Sequence, residues 1–309
     1  MAHDARVVEA SGNAALLFLE YLTEEINRGE LNLPSFPDNI IKIRQALADE
    51  GCGPERLARL ISTDQGLAAR LLQMSNSALI SRGVRAVTDL RTAILRLGFN
   101  MVRNAAMSAA IHQMFQSKKA SAMRREVRAI CREGADVASL AFITARVTER
   151  FNADEAMLAG LLHNVGKLYI CMRACDQSEV LANRDMLSHM LGEWHGAIGR
   201  VIIESWGFSA EQAAAAEEHL DHTRSPVEPD LVDIVQAAVL LYEAMHRPAR
   251  LYGKDPETGE TVGSEDDEAR QASQSLLARP VFLRLSIDQP RLGTILSRAR
   301  DNSIANGLS

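Results

Sequence analysis

The sequence is poor in the residues that identify several common classes of protein. Aromatic residues make up 5% of its 309 positions, and its four cysteines form no CxxC pair. This usage argues against a disulfide framework and against a zinc ribbon. We expect buried, inert thiols in a reducing compartment, with a metal or redox role for the last two left open because they lie one helical turn apart. The cysteines are Cys52, Cys131, Cys171 and Cys175.

The chain also lacks long apolar runs and an excess of positive charge. Its first residues, MAHDARVVEASG, do not have the basic-then-apolar order of a signal peptide. The run LLFLEYL at 16–22 is too short to cross a bilayer. A formal net charge of -6 and a pI near 5.8 argue against a general nucleic-acid-binding protein. The expected location is therefore the cytoplasm, with no membrane contact.

The sequence does contain a clear helical period. Hydrophobic residues make up 47% of the chain, which is long enough to bury a large core. Apolar residues recur every three or four positions, as in Ile40, Ile43 and Leu47, and no sustained stretch alternates as a half-buried strand does. We therefore predict an all-α fold.

Some residues are expected to begin or end these helices. Asp64 is predicted to cap the helix that follows it, and Thr88 is predicted to cap the helix DLRTAILRL. Gly98 is expected to end that second helix.

The segment 247–275 differs from the rest of the chain. It includes PARLYGKDPETGETVGSEDDEAR, in which Gly, Pro and acidic residues are frequent and apolar residues are rare. This composition predicts a flexible acidic loop. The predicted organisation is an N-terminal helix at 1–30, a main domain at 31–246, this loop, and a C-terminal helical extension at 276–309.

Four stretches of the main domain occur in the order of a known family. They are LNLPSFPDN, LISTDQGLAARLLQMSNSAL, TAILRLGFNMVRNAAM and GLLHNVGKL. Together they resemble the HDOD domain, a helical bacterial signalling module related to the HD-type phosphohydrolases. The resemblance covers 31–246 and implies a multi-helix bundle, in which an N-terminal helical subdomain packs on an HD-like helical subdomain.

The resemblance also implies which residues occupy the metal positions of catalytic HD proteins. Those proteins use an early His, a His-Asp pair and a late Asp to bind divalent metals that activate a water. Here Glu133 matches the early His, and Val239 matches the late Asp. His163 keeps the His of the pair, but Asn164 replaces its Asp, and a neutral amide does not bridge two cations. The resemblance therefore implies no catalytic residue, no cofactor and no bound metal.

Two interpretations of the remaining polar residues stay open. In one, His163 forms a hydrogen bond with a backbone carbonyl or a neighbouring helix and braces the former metal cavity. In the other, His163, Asn164 and Lys167 form a vestigial cavity that binds a small anion or a nucleotide.

Three later histidines are further candidates for this pocket. His195, next to Gly196, is expected to pack at a close helix crossing with a satisfied ring nitrogen. His219 and His222 are predicted to share one helical face, at a spacing that suits zinc, although the sequence shows no third ligand. A solvated or capping role for this pair is the alternative.

The basic stretch SKKASAMRREVRAICRE provides a candidate docking surface. Arg124, Arg128 and Arg132 repeat every four residues and so share one side of a helix. This side is interpreted as a solvated face, as a docking surface for an acidic partner or phosphate-bearing ligand, or as a contact for the acidic residues at 255–268. The candidate docking residues are Lys118, Lys119, Arg124, Arg125, Arg128 and Arg132.

The leading functional hypothesis is a non-catalytic signal-transduction module that acts through protein partners. The resemblance links such modules to bacterial two-component and cyclic-di-GMP networks. The runner-up is a divergent metal-dependent HD-type phosphohydrolase acting on a nucleotide. Two further alternatives are a nucleic-acid-binding protein that uses the arginine side of the helix and a purely structural scaffold.

Overall fold

The computed structural model describes most of the chain as a set of packed helices. Its described residues contain no strand, so the all-α prediction is confirmed. Shorter helical stretches at 20–25 and 272–277 flank the numbered helices. The described residues are 18, 20–25, 28, 36–49, 51–77, 80, 85–115, 122–246 and 272–300. The helices are α1 (Asp38–Ala48), α2 (Pro54–Ile61), α3 (Gln65–Ser75), α4 (Leu90–Leu97), α5 (Phe99–Phe115), α6 (Arg124–Thr148), α7 (Ala153–Leu162), α8 (Val165–Ala174), α9 (Ser178–Ala182), α10 (Arg184–Glu193), α11 (His195–Ser205), α12 (Ala210–Glu218), α13 (Leu231–His246), α14 (Pro280–Arg284) and α15 (Gln289–Ala299).

Helices α1 to α5 form the first subdomain, and polar side chains fix where they begin. Asp64 caps α3 as predicted, because its carboxylate accepts a hydrogen bond from the Leu67 amide at 3.0 Å. The predicted cap at Thr88 is wrong by one residue. Asp89 caps α4 instead. The backbone amide of Thr92, three residues later, donates to the Asp89 carboxylate at 2.8 Å. Gly98 ends α4 with a φ of 80°, as its position predicts.

An aromatic and cationic contact joins the first subdomain to the second. The rings of Phe36 and Trp206 lie 5.0 Å apart, centroid to centroid. The Arg44 guanidinium lies 5.1 Å from the Phe36 ring and donates to the Trp206 carbonyl at 3.3 Å. The buried apolar residues on the two sides belong to one continuous core. The two subdomains therefore pack as one unit.

Helix α6 organises the second subdomain, which comprises α6 to α13. Its C-terminal half is buried almost without interruption and packs against α7, α13 and α15. Its N-terminal half is amphipathic and carries exposed arginines. One helix therefore contributes both to the core and to the surface.

The C-terminal extension packs on the second subdomain. Phe282, Leu292 and Ile295 are fully buried, and α15 packs against α6. A helical stretch begins at residue 272, inside the predicted loop 247–275. The loop therefore ends before residue 275. The rest of that loop, 247–271, lies outside the described residues, as does most of the predicted N-terminal helix at 1–30.

Among the described residues, no helix has both the length and the apolar composition that crossing a lipid bilayer requires.

Candidate functional site

Two glycines bring three helices close together around the motif GLLHNVGKL. A Cβ atom on Gly166 would lie 1.9 Å from the His195 carbonyl oxygen, so α8 and α11 cross almost in backbone contact. A Cβ atom on Gly196 would lie 2.7 Å from the Glu217 carbonyl oxygen, so α11 also packs closely against α12. The close crossing expected at His195 is therefore present.

This crossing gathers three histidines that are far apart in sequence. The exposed fractions of His163, His195 and His219 are 0%, 2% and 1%. The His219 ring centroid lies 5.0 Å from that of His163 and 5.2 Å from that of His195. The Nε2 atoms of His195 and His219 are 3.4 Å apart. The chain therefore contains a buried triad of imidazoles, called here the histidine cluster.

All three rings are oriented in the same way. The Nδ1 atoms of His163, His195 and His219 lie 2.6, 3.1 and 2.9 Å from the carbonyl oxygen three residues earlier in the chain. A carbonyl oxygen only accepts a hydrogen bond, so each of the three rings donates through Nδ1–H. The Nε2 atom of His163 is buried and has no hydrogen-bond partner.

A second polar group lies beside the cluster, on α6 and α8. The Asn164 amide donates to Glu133 at 2.6 Å, and the Lys167 ammonium lies 3.4 Å from the same carboxylate oxygen. The His163 Nε2 atom is 3.9 Å from that oxygen, which is too far for a hydrogen bond. Glu133 occupies the position that the sequence comparison matched to the early His of catalytic HD proteins. Its carboxylate contacts the Asn164 amide and the Lys167 ammonium.

Burial and neighbouring charge set the protonation of these groups in opposite ways. Burial would raise the pKa of Glu133, but its interactions with His163, Lys167 and Asn164 outweigh burial and lower that pKa to about 2. Burial, with the nearby Lys167 charge, lowers the pKa of His195 to about 4. Burial also lowers the pKa of His219 far below its ordinary value. At neutral pH the site therefore holds a carboxylate and neutral His195 and His219 rings.

The dinuclear metal centre of catalytic HD proteins does not fit these residues. The amide nitrogen of Asn164 points to Glu133, so this side chain presents a donor where a bridging carboxylate would be needed. The Lys167 ammonium lies 3.4 Å from the Glu133 carboxylate and compensates its charge. Val239, at the position of the late Asp, is apolar and buried.

The space next to Asn164 is small. A cavity of about 20 Å³ lies between α5, α6, α7 and α8, and Asn164, His112 and Cys131 are among its lining residues. This is room for about one water molecule, far less than a nucleotide needs.

The prediction that His219 and His222 share a helical face is wrong. Helix α12 ends at Glu218, so His219 forms its C-cap and the chain turns away before His222, which is exposed. The partners of His219 are His163 and His195 instead. Among the described residues, no group of three or more His, Cys, Asp or Glu side chains is placed so that it could hold a metal ion.

One residue of the site has no counterpart in the sequence predictions. Gln236 is buried on α13 and donates to the backbone carbonyls of His219 and Asp221, at 3.3 and 3.0 Å. It fixes the turn that follows His219. The sequence offered one indication of this role. Gln236 is the single polar residue of the apolar run IVQAAVLL, and a buried polar side chain needs hydrogen-bond partners.

The thiols are largely as expected, although only two of the four are fully buried. Cys52 and Cys171 are buried, whereas Cys131 and Cys175 are partly exposed, and all four are free. Burial raises the pKa of Cys171 to about 12 and that of Cys131 to about 11. At neutral pH these two are unreactive thiols.

The arginines of the basic stretch line a groove on the exposed half of α6. The groove has a volume of about 620 Å³. Its lining includes Arg124, Arg125, Arg128 and Arg132. None of the four forms an ion pair with a carboxylate in the part of the chain that the structure describes. Lys118 and Lys119 lie outside the described residues.

Comparison with known proteins identifies the main domain. The family model of the HDOD domain matches residues 33–222, somewhat less than the predicted 31–246. An uncharacterised protein of Treponema pallidum (strain Nichols) is 24% identical over 189 residues, which cover 57% of this chain and 35% of the relative. The chain thus spans about a third of the length of this curated relative.

Two crystal structures share the fold over nearly the whole chain. One, from Shewanella amazonensis SB2B, is provisionally described as a metal-dependent phosphohydrolase. Its TM-score is 0.75 at 23% identity, over 96% of this chain and 100% of that one. The other is an HDOD domain protein of unknown function from Geobacter sulfurreducens. Its TM-score is 0.59 at 21% identity, over 98% of this chain and 99% of that one. At these identities the likeness establishes the fold.

Proposed function

Because the chain belongs to the HDOD domain family, we propose that it is a non-catalytic signal-transduction module that acts by binding protein partners. The observation that carries the proposal is the contact among Asn164, Glu133 and Lys167, which places an ammonium and an amide donor where an HD-type enzyme needs metal ligands. We place the module in the bacterial cytoplasm, within two-component or cyclic-di-GMP-linked regulation.

The alternative is a divergent metal-dependent phosphohydrolase that acts on a nucleotide. The test is to incubate the purified protein with manganese and a panel of cyclic and linear nucleotides, and to compare its turnover with that of His163→Ala. The expected result is no difference between the two proteins. Turnover that disappears in His163→Ala would overturn the non-catalytic proposal.

The partner-docking surface that we propose is the arginine groove on α6. Arg124, Arg128 and Arg132 follow one another at about 6 Å along the helix axis, because four residues span that distance. An acidic helix with carboxylates at the same four-residue spacing can pair with all three. The proposed partner is therefore an acidic helical segment of a signalling protein.

Charge reversal provides a sharp test of this docking surface. The variant R124E/R128E/R132E is expected to weaken binding of a helical peptide with Glu at every fourth position by at least tenfold, measured by fluorescence anisotropy. Wild-type binding should also weaken as salt increases, because the contact is between charges.

The matched control reverses three exposed arginines elsewhere on the described surface, in R59E/R184E/R298E. Both triple variants change the net charge equally, so only the location differs. The control is expected to bind the peptide nearly as the wild type does, apart from a small general loss. Equal weakening in both variants would show that net charge, and not the groove, recruits the peptide.

A further inference from the structure

A separate cavity lies at the junction of the two subdomains. Its volume is about 610 Å³, within the range of about 300–1,000 Å³ that is usual for small-molecule sites. Arg103 of α5 lines it on the side of the first subdomain, and residues at the N-termini of α7, α12 and α13 line it on the side of the second. This space is called here the junction cavity.

The junction cavity and the histidine cluster lie at opposite ends of the same two helices. Helix α7 has its N-terminus at the cavity, where Asn152 caps it, and its C-terminus at His163. Helix α12 likewise runs from its cap Ser209, at the cavity, to His219. These helices have 10 and 9 residues and are therefore about 14–15 Å long. The cavity is thus distinct from the former metal positions.

A buried amide in the junction cavity has no partner. Gln212 is 7% exposed, and its side chain forms no hydrogen bond with any other described residue. Only its backbone amide is bonded, to the Ser209 hydroxyl at 3.3 Å. Buried side-chain amides normally have partners, because an unpaired donor or acceptor in a protein interior is unfavourable. The Gln212 side chain therefore offers a donor and an acceptor to a ligand.

The guanidinium of Arg103 is also incompletely bonded. One of its nitrogens donates to the Asn100 side chain at 3.0 Å. Its Nε atom is buried and has no hydrogen-bond partner, and no carboxylate of the described residues forms an ion pair with it. Arginine binds carboxylates through two parallel N–H groups. A carboxylate in the junction cavity would supply the partner that Arg103 lacks.

Three carboxylates line the same cavity, and two of them already have partners. Asp230 pairs with Arg224 at 2.5 Å. The Glu211 carboxylate bonds its own backbone amide and the Ser209 hydroxyl. The Glu155 carboxylate is exposed and has no ion-pair or hydrogen-bond partner within the part of the chain that the structure describes. The negative charge left for a ligand is therefore that of Glu155.

A buried hydrogen bond brings these two unpaired charges to the same cavity. Asn104, next to Arg103, is fully buried and donates to the backbone carbonyl of Asp154 at 2.8 Å. Asp154 directly precedes Glu155, so the bond fixes the first turn of α7 against α5. Arg103 and Glu155 form no ion pair with each other, although both line the cavity. A ligand that carries both signs of charge can pair with each of them.

Apolar side chains make up much of the remaining wall. They are those of Phe151, Leu158, Phe208 and Leu231. An apolar group of a ligand would be removed from water against them, which is favourable. The Phe208 ring also lies 5.5 Å from the Arg44 guanidinium of α1, at the contact that joins the subdomains. One ligand would therefore contact both subdomains.

We propose that the junction cavity binds a zwitterionic ligand of the amino-acid class that has an apolar side chain. The ligand carboxylate pairs with Arg103, and the ligand ammonium pairs with Glu155. Gln212 completes the hydrogen bonds of the polar end, and the apolar side chain lies against Phe151 and Phe208. A simple anion would leave Glu155 unpaired, and a simple cation would leave Arg103 unpaired.

This site goes beyond the proposed function, because it adds a small-molecule input to a module that acts on protein partners. The ligand bridges α5 and the helices of the second subdomain, so its binding stabilises their packing. The arginine groove is lined by residues between 122 and 132 and shares no residue with the junction cavity. Peptide binding and amino-acid binding are separate readouts, so either proposal can fail without the other.

Calorimetric titration of the full-length protein with L-phenylalanine, L-leucine, L-methionine and L-tryptophan tests the proposal. At least one of these is expected to bind saturably, at one equivalent, and to raise the melting temperature. Its analogues without the ammonium or without the carboxylate should bind at least tenfold more weakly. For phenylalanine these analogues are hydrocinnamate and phenethylamine. No saturable binding of any of the amino acids, or equally tight binding of either analogue, would overturn the proposal.

Variants assign the two ends of the ligand. Arg103→Gln and Glu155→Gln are each expected to weaken binding of the amino acid at least tenfold, and Gln212→Leu is expected to weaken it severalfold. The matched controls are Arg59→Gln and Glu179→Gln, which change exposed residues far from the cavity lining and should bind as the wild type does. Unchanged affinity in both Arg103→Gln and Glu155→Gln would refute the assignment. The comparison of analogues uses the wild type, so it remains decisive if a variant fails to fold.

Discussion

At the scale of single residues, burial determines what each polar group of the site does. Nothing in the sequence distinguishes His195 and His219 from other histidines. Their burial lowers their pKa values and so keeps both rings neutral at pH 7. Glu133 is also largely buried, but the interactions of Lys167, Asn164 and His163 keep it charged. The same environment therefore suppresses charge on two imidazoles and preserves it on one carboxylate.

Acid should destabilise the protein between the ordinary pKa of histidine and the lower pKa values of the buried His195 and His219 rings. The pKa of His195 is about 4 in the folded chain, below its ordinary value of 6.5. The unfolded chain binds the proton first, so the free energy of unfolding should decrease as the pH falls from 6.5 to 4. The slope is at most about 1.4 kcal/mol per pH unit for each such histidine. Urea unfolding followed by circular dichroism at a series of pH values measures this slope.

The control for this pH dependence is His195→Gln, which removes one of the two rings. Its stability should change less steeply between pH 6.5 and 4, by about one proton's contribution. Stabilisation by the charge of Glu133 should be lost only at lower pH, between its ordinary pKa of 4.5 and about 2. Identical slopes in the variant and the wild type would contradict the role given to His195.

At the scale of elements, two small residues decide how closely the helices approach. Gly166 and Gly196 permit the near-contact of α8, α11 and α12, and that contact brings the histidines together. Any side chain at Gly166 would occupy the position of the His195 carbonyl. The crossing and the histidine cluster therefore depend on each other.

Gly166→Ala is expected to destabilise the protein by about 3 kcal/mol, because the added methyl group must push α8 and α11 apart. The matched control is Gly192→Ala, in α10. A Cβ atom there meets nothing within 4 Å, so the greater helix propensity of Ala should leave stability unchanged or raise it by about 1 kcal/mol at most. Thermal or urea unfolding compares the two, and similar stabilities would refute the close crossing.

At the scale of the whole molecule, the C-terminal extension is attached next to the site by a buried ion pair. Arg284, in α14, donates to the fully buried carboxylate of Asp233 at 2.5 and 3.1 Å. It also lies 3.4 Å from the Gln236 amide oxygen. Gln236 in turn holds the turn after His219. The extension thus supports the same backbone that places the histidine cluster.

Arg284→Met should therefore lower the free energy of unfolding by about 3 kcal/mol, because it leaves a buried carboxylate without its main partner. Arg298→Met is the control, since this arginine of α15 is exposed. The control is expected to change stability by less than about 0.5 kcal/mol. Chemical unfolding of the full-length variants measures both, and a small effect of Arg284→Met would mean that the extension is held by apolar contacts alone.

The sequence by itself determined the fold class, the family and several local features. Helical periodicity is a property of nearby residues, so the all-α prediction and the cap at Asp64 depended on local information alone. The error at Thr88 was also local, since two adjacent residues were suitable caps and only the backbone geometry distinguishes them. The replacement of an Asp by Asn164 is likewise a fact of the sequence, and a neutral amide does not bridge two cations wherever it lies.

Only the tertiary structure decided which histidines belong together. His219 and His222 are neighbours in sequence, but the end of α12 separates them. His163, His195 and His219 are neighbours in space, because Gly166 and Gly196 bring the backbones of their helices into near-contact. Burial and the direction of a lone pair arise from packing between distant segments, and the spacing of residues along one chain does not contain that information.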